Sequence, residues 1–363
     1  MRTFSEISRL GRVLLGVAVA ATCLTTVGPL QAQTTLADPE AYRDAKSTAT
    51  SIFLDRGRPQ EERLAAAADL GYPDDRTLTA LLSIGTDRSQ GDPIRWEALR
   101  RLQYDDLYLD SVLKILEDPD DGGEELDASL IEDLTRRTTL PPPAQVRQRI
   151  QSVLRKLLDD KRDKVRLYAY RSLVSNHDPV AINLLAESLR EGRDTPIPLF
   201  EAINLLDLDA SINHIGALRP YLHHEDPRVQ ARAARALAVD PESRPTIVEL
   251  VKNPKTPEEV RLHALRSLAR EDGQFASYAI LLVEDARESL EVRSAAMQAF
   301  VGRMNYNKLD PADQVRFAQA VERIAADPSL RTPEALKVKV AAQELHAYLL
   351  QVFPEIQKFY EKQ

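Results

Sequence analysis

Residues 256–272, TPEEVRLHALRSLARED, contain the pattern that decides the fold of this chain. Val260, Ala264 and Leu268 are spaced four residues apart, which places them on one face of an α-helix. The small alanine in the middle lets a neighbouring helix approach closely, while the larger side chains on either side fill the gaps. The stretch therefore predicts a helix that packs against another helix.

Copies of this helix recur through most of the chain at nearly constant spacing. Successive central positions are about 32 residues apart, with one longer step of about 39 residues, and such a period is typical of stacked structural repeats. The long step contains three consecutive prolines, 141–143, which cannot continue a helix and add a loop. The central residues are Ala66, Ala98, Leu130, Ala169, Ala202, Ala233, Ala264 and Ala296.

Each copy is followed by a second apolar stretch of helical length, such as residues 179–189, so the repeat is predicted to be a helical hairpin. Asp92-Pro93, Asp226-Pro227 and Thr256-Pro257 fit a capping residue followed by proline at the first helical position. Aromatic residues make up only 6% of the chain and there are 13 glycines, which also favours helices. The sequence predicts an all-α fold, a right-handed α-solenoid of about eight helical-hairpin repeats.

Residues 1–32 are predicted to be a secretory signal peptide. The apolar run at 13–21 is too short to span a bilayer and follows a basic start. Cleavage is expected after the small residue Ala32, and export would deliver the chain to the periplasm or the extracellular space. A lipoprotein acylated at Cys23 is the alternative, although Thr22 before it matches such a signal poorly. The basic residues are Arg2, Arg9 and Arg12.

Removal of this segment changes the chemistry open to the mature chain. Cys23 is the only cysteine, so neither a disulfide nor thiol chemistry would remain. The segment carries a net charge of +2, so the formal charge of −8 becomes about −10. That balance disfavours binding to nucleic acid or to anionic membranes. No transmembrane segment is predicted in the mature chain.

The remainder of the chain is predicted to fall into three parts. Residues 33–59 form a polar N-terminal segment or cap helix, in which a helix can run from Asp38 to Leu54. Residues 60–304 form the repeat array, and residues 305–363 form a C-terminal repeat with capping helices. Both ends depart from the repeat pattern, as the ends of an array usually do.

The stretch DPRVQARAARALA, residues 226–238, resembles HEAT-type repeats, in particular the HEAT-like class named from the phycobilisome lyases. The matching features are Asp226-Pro227, Val229 followed by a polar residue, Ala233, and then the pair Ala236-Leu237. The resemblance covers roughly residues 62–303 and implies an α-solenoid. It implies little about activity, because the class includes lyases, hydroxylases, DNA-binding proteins and adaptors.

In four of the first helices, the position after the valine, or after Ile94 in one of them, is an arginine that is expected on the buried side. In HEAT-like proteins such arginines typically bond to acidic residues in turns of the same or an adjacent repeat, and Asp92, Asp163, Glu258 and Glu291 are available. A buried guanidinium favours bidentate carboxylate partners. The resemblance therefore implies a structural ladder, with a ligand site as the less favoured interpretation. Its members are Arg95, Arg166, Arg261 and Arg293.

The opposite face of the same helices carries basic and aromatic residues. In the resembled architecture this helix lines the concave surface, where arginine and aromatic side chains would suit a protein or peptide partner, such as an acidic peptide. The alternative is an ordinary solvated helix face, since arginine is also a good helix former. The residues of this predicted stripe are Trp96, Arg100, Tyr168, Arg171, Phe200, Arg232, Arg235, His263 and Arg266.

Sequence motifs give little support to catalysis. Residues 223–226, His-His-Glu-Asp, fit a solvated turn better than a metal site, and neither a phosphate-binding glycine loop nor a Gly-x-Ser-x-Gly elbow occurs. No catalytic residue, cofactor or metal is predicted. The function expected is a non-catalytic exported scaffold that binds a protein or peptide on the concave face. The alternatives are an accessory or chaperone-like subunit of an envelope complex, and a lyase or hydrolase acting in the concavity.

Overall fold

A computed structural model describes residues 39–362 except 72, 103–105, 138–142, 193, 209–211, 272–274 and 305–309. The predicted signal peptide, its cleavage site, Cys23 and Asp38 lie outside the described residues. Throughout the described part, the regular elements are α-helices and 3-10 helices, with no strand. The predicted all-α fold is confirmed.

The chain divides into two compact units, with the boundary between Ile247 and Val248. The N-terminal unit contains α1 (Pro39–Leu54), α2 (Gln60–Ala67), α3 (Asp75–Gly85), α4 (Asp92–Leu99), α5 (Asp106–Glu117), α6 (Glu124–Arg137), α7 (Ala144–Lys156), α8 (Asp163–Ser175), α9 (Pro179–Glu191), α10 (Leu199–Leu208) and α11 (Pro227–Ala236). The boundary falls within α12 (Arg244–Lys252). The C-terminal unit continues with α13 (Glu258–Glu271), α14 (Phe275–Glu284), α15 (Leu290–Met304), α16 (Pro311–Ala326), α17 (Pro333–Val352) and α18 (Pro354–Tyr360).

The N-terminal unit is a stack of helical hairpins. Its first helices, α2, α4, α6, α8, α10 and α11, contact one another in chain order, and each is followed by a second helix. The predicted central residues of these helices are all buried, and the middle alanine of α8 is flanked by buried Val165 and Leu173. The pattern that identified the repeat is therefore the packing seam between successive first helices.

The second helix that follows α10 is not an α-helix. Residues Ile212–His223 form a 3-10 helix, with Pro220 inside it. Because proline cannot donate a backbone hydrogen bond, an α-helical ladder could not run through this position unbroken. The 3-10 segment still packs against α9, α10 and α11 and so takes the place of the second helix.

The turns between helices confirm one of the predicted caps and correct two. The side chain of Asp226 accepts a hydrogen bond from the backbone N–H of Arg228, as a capping residue should. Asp92 is instead the first residue of α4, and its carboxylate accepts from the N–H of Gly123 at 3.0 Å. Thr256 lies two residues before α13 begins. The prediction that Asp92 and Thr256 directly cap their helices was wrong.

The C-terminal unit repeats the same construction. First helices α13 and α15 contact each other, and second helices α14 and α16 do the same. Val260, Ala264 and Leu268 are buried, as are Val292 and Ala296 of α15. The rings of Phe300 and Phe317 stack at 3.7 Å between centroids and join α15 to α16. Helices α17 and α18 close this end of the chain against α16.

Candidate functional site

Six partly exposed side chains on α8, α10 and α11 form two ion-paired groups, which together are called the charge cluster. The side of the first helices that lies opposite their buried seam is called the first-helix row below. Of the nine residues in the predicted stripe, four belong to the cluster, and two acidic residues join them. The members of the charge cluster are Tyr168, Arg171, Glu201, Asp207, Arg232 and Arg235.

Ion pairs connect the three helices through the cluster. Arg171 Nη2 donates to Glu201 Oε2 at 2.9 Å, and its guanidinium carbon lies 5.5 Å from the centroid of the Tyr168 ring. Asp207 Oδ2 lies 3.2 Å from Arg232 Nη2 and 3.3 Å from Arg235 Nε. Helix α10 therefore supplies both carboxylates, one toward α8 and one toward α11.

The guanidinium of Arg232 is the most enclosed basic group of the cluster. Burial lowers its pKa, while Asp207 and Glu201 oppose that shift. Arg235 is different, because about half of its side chain (49%) is exposed beside the same carboxylate. The cluster thus combines a partly buried arginine, Arg232, with a more exposed one, Arg235.

The remaining residues of the predicted stripe lie outside this cluster. On α4, Trp96 is partly buried, and the side chain of Arg100 just after the helix donates from Nε to Glu97 Oε2 at 2.6 Å. Phe200 begins the exposed face of α10 and is 41% exposed. His263, partly buried, and Arg266, exposed, both belong to α13 in the C-terminal unit. The nine predicted residues therefore do not form one continuous group within a single unit.

Sequence reasoning missed the acidic members of this surface. Glu97 and Glu201 occupy the helical position immediately before the repeat centre, the same position as Tyr168, Arg232 and His263. Reading that position in every repeat, whatever the charge of its residue, would have found them. Asp207 lies five residues after its centre, so the repeat pattern gave no direct signal for it.

The buried arginines of the first helices share one hydrogen-bond pattern, which is structural. Arg95, Arg261 and Arg293 are buried, and in each the Nε donates to the carbonyl ten residues earlier, at the end of the preceding second helix. Arg261 also donates to both oxygens of Glu288, at 2.7 and 2.6 Å. Arg63, which is absent from the predicted ladder, donates to the carbonyl of Phe53 in the same way.

The acidic partners are not all those that the resemblance implied. Arg261 pairs with Glu288 in the following turn rather than with Glu258, and Arg95 is closer to Asp121 than to Asp92. Arg166 is only partly buried; it pairs with Asp163 and donates to the carbonyls of Asp160 and Pro196. In the repeat of Ala233 a glutamine, Gln230, takes the arginine position and donates to the carbonyl of Leu222 at 2.7 Å.

The histidine turn is held by its own backbone. The N–H of Asp226 donates to Nδ1 of His224 at 3.1 Å, and the His224 ring lies 6.0 Å from that of Tyr221. Across the residues that the structure describes, no group of three or more His, Cys, Asp or Glu side chains could hold a metal ion. In the same part of the chain, no helix is long and apolar enough to cross a membrane.

Comparison with known proteins supports the repeat assignment. Residues 215–300 match the family model of HEAT repeats. The resemblance inferred from the sequence is thereby confirmed for this segment, which runs through α11 to α15. No curated protein sequence matches the chain.

Three solved structures are similar to the chain over most of its length. An engineered protein is 18% identical over 85% of this chain and 94% of its own, with a TM-score of 0.39. Human deoxyhypusine hydroxylase, in complex with glycerol, is 14% identical over 85% and 98%, with a TM-score of 0.29. The complex of CpcE and CpcF of phycocyanin lyase from Nostoc sp. PCC7120 is 17% identical over 91% and 100%, with a TM-score of 0.29. At these values the likenesses add nothing to the assignment of function.

Proposed function

We propose that this protein is a non-catalytic scaffold that binds a protein or peptide partner along the first-helix row. The observation that carries the proposal is the charge cluster, in which ion pairs link partly exposed side chains of three successive first helices. Arginine and aromatic residues are the types most often responsible for binding energy at protein interfaces.

The HEAT-like repeat supports the same function. A stack of hairpins presents neighbouring side chains from a rigid framework, so little conformational entropy is lost when a partner binds. Ion pairs such as Arg171–Glu201 hold the row side chains in place before binding. An accessory or chaperone-like subunit would use this surface in the same way, and identification of the partner would separate it from a general scaffold.

The test is capture of partners by the full mature chain from its native envelope fraction, read by mass spectrometry. Arg171→Glu with Arg235→Glu should release the captured protein, because the substitutions reverse two exposed charges of the row. Arg147→Glu with Arg190→Glu is the matched control, since it makes the same charge change on second helices α7 and α9, where both arginines are exposed. Capture that survives in both variants would contradict the proposal.

Arg266→Glu forms a separate arm of this experiment. Arg266 is exposed on α13, in the C-terminal unit. Loss of the same captured partner would show that the C-terminal unit also binds it, whereas unchanged capture would confine binding to the N-terminal unit.

We also propose that the protein is exported and processed. The intact mass of the protein isolated from its native source should correspond to a chain that begins at Gln33. A chain that begins at an acylated Cys23 would support the lipoprotein instead, and an unprocessed chain in the cytoplasm would overturn the proposed export.

A further inference from the structure

Helix α10 exposes apolar side chains in the middle of the first-helix row. Phe200 is 41% exposed and Leu208 is 55% exposed, and Asn204 lies midway between them. The three are spaced four residues apart and so lie on one face of the helix. At 1.5 Å per residue, the two apolar positions are about 12 Å apart along the helix. The buried residues on the opposite side are Ala202, Ile203, Leu205 and Leu206.

The charges around this face are nearly balanced. Three guanidiniums of the charge cluster share two carboxylates, those of Glu201 and Asp207. Asp207 approaches two arginines through the same oxygen, and its closest contact with Arg235 is to Nε. Three positive charges against two negative charges leave one positive charge. Arg235 is about half exposed and shares its carboxylate with Arg232, so it is the arginine available to bind one added carboxylate.

We infer that the first-helix row takes a segment of a protein partner that carries one carboxylate and two apolar side chains, spaced to match Phe200 and Leu208. The apolar side chains would pack on these two residues, and the carboxylate would pair with Arg235. A run of acidic residues would fit poorly, because Glu201 and Asp207 would repel all but one of them. This inference rests on the proposed function and names the chemistry of its partner.

The two anchors restrict the sequence of the partner. Side chains about 12 Å apart on one face are four residues apart in an extended segment, and seven or eight apart in a helical one. Asn204, between the anchors, offers both a donor and an acceptor to a polar group at the midpoint.

The experiment selects binders from a random dodecapeptide library displayed on phage, with the full mature chain as bait. Selected peptides are synthesised, and their Kd values are measured on the wild type, Phe200→Ser, Leu208→Ser and Arg235→Glu. Each substitution is expected to weaken binding by about tenfold or more, because each removes one of the three anchors. The selected sequences should contain two apolar residues at one of the stated spacings and a single acidic residue.

Val180→Ser and Leu184→Ser are the matched controls. These residues are 40% and 41% exposed on α9, a second helix of the same unit, and the substitutions should leave Kd within about twofold. All the substituted side chains are at least partly exposed, and unchanged thermal unfolding would confirm that the variants fold. Binding should weaken only slightly between low and high salt, as one exposed ion pair requires.

Three results would overturn the inference: selection of acidic runs without apolar anchors, a steep loss of binding with salt, or equal binding by the row variants and the wild type. None of these decides the proposed function. That function fails if capture of the native partner is unaffected by reversal of Arg171 and Arg235.

Discussion

At the scale of single residues, a buried arginine is tolerated when its donors find acceptors. Arg261 meets this condition, because one nitrogen donates to the carbonyl of Val251 and two others to the carboxylate of Glu288. The carbonyl belongs to the end of a second helix, where the last turn leaves acceptors unpaired. One side chain thereby joins the end of α12, the start of α13 and the turn before α15.

Replacement of Arg261 by alanine should lower the free energy of unfolding by about 3–5 kcal/mol, since it leaves Glu288 without its partner in a largely buried position. Arg287→Ala is the control. Arg287 is 91% exposed and pairs with Asp285 at the surface, so its loss should cost far less. Urea unfolding followed by circular dichroism measures both. Equal losses would show that the buried arginine is not a structural tie.

Asp127 gives the N-terminal unit a pH-dependent stability. Its side chain is fully buried, and Oδ2 lies 2.8 Å from Nη1 of Arg162. Burial raises the pKa of this carboxyl to about 6. The unfolded chain loses this proton near pH 4, while the folded chain keeps it until about pH 6. Above about pH 6, ionised Asp127 therefore lowers the free energy of unfolding. This penalty becomes smaller as the pH falls from about 6 to about 4.

The stability of the wild type relative to Asp127→Asn should fall by about 2–3 kcal/mol between pH 4 and pH 7. Denaturant unfolding at several pH values measures this difference. Asp160→Asn is a control of opposite sign, because hydrogen bonds from Arg162 lower the pKa of Asp160, and its contribution is lost only as the pH falls below about 4. A constant difference for Asp127→Asn across this range would contradict the assignment.

At the scale of helices, α9 begins at an unusually well-satisfied cap. Asp178 is fully buried and accepts from the backbone N–H groups of Val180 and Ala181, at 3.0 and 3.4 Å. It also accepts from Arg155 of α7, through Nε and Nη2. The same carboxylate thus starts one second helix and ties it to the one before.

Asp178→Ala should cost about 2–4 kcal/mol, since it removes both a cap and a charged pair from a buried position. Asp74 caps α3 from an exposed position, with a hydrogen bond from the N–H of Thr77 at 2.8 Å, so Asp74→Ala should cost clearly less. Thermal unfolding compares the two. A loss for Asp178→Ala no greater than that for Asp74→Ala would show that Arg155 adds nothing.

The first helices could be predicted because their packing is local. Val260, Ala264 and Leu268 form the buried seam through a spacing that any window of the sequence reveals. The 3-10 helix at Ile212–His223 could not be predicted in this way, because it forms where the segment that contains Pro220 packs against α9 and α11. Asp92 was misassigned for a similar reason, since its acceptor role is completed by Gly123 in the following repeat.

The candidate site was predicted less completely than the fold. Residue type and helical position identified Arg171, Arg232 and Arg235, but the partners that fix their charge balance come from α10. An ion pair between two helices depends on how far one is shifted along the other, which a single sequence does not encode locally. These carboxylates matter for function, because they make nearly neutral a surface that the sequence predicted to be basic.

At the scale of the whole molecule, the repeats combine two tasks on separate faces of the first helices. The buried face carries the alanine seam and the arginine ties, while the exposed face carries the charge cluster. Substitutions of the exposed row residues Phe200, Leu208 and Arg235 should therefore change binding with little effect on stability. Substitutions such as Arg261→Ala should do the reverse.

The most direct measurement is hydroxyl-radical footprinting of the protein with and without its captured partner, because it reports the exposure of individual side chains. The partner is predicted to slow oxidation of Phe200, Leu208 and Tyr168, while Val180 and Leu184 on α9 react at unchanged rates. Protection of α9 with no change at Phe200 and Leu208 would contradict binding along the first-helix row.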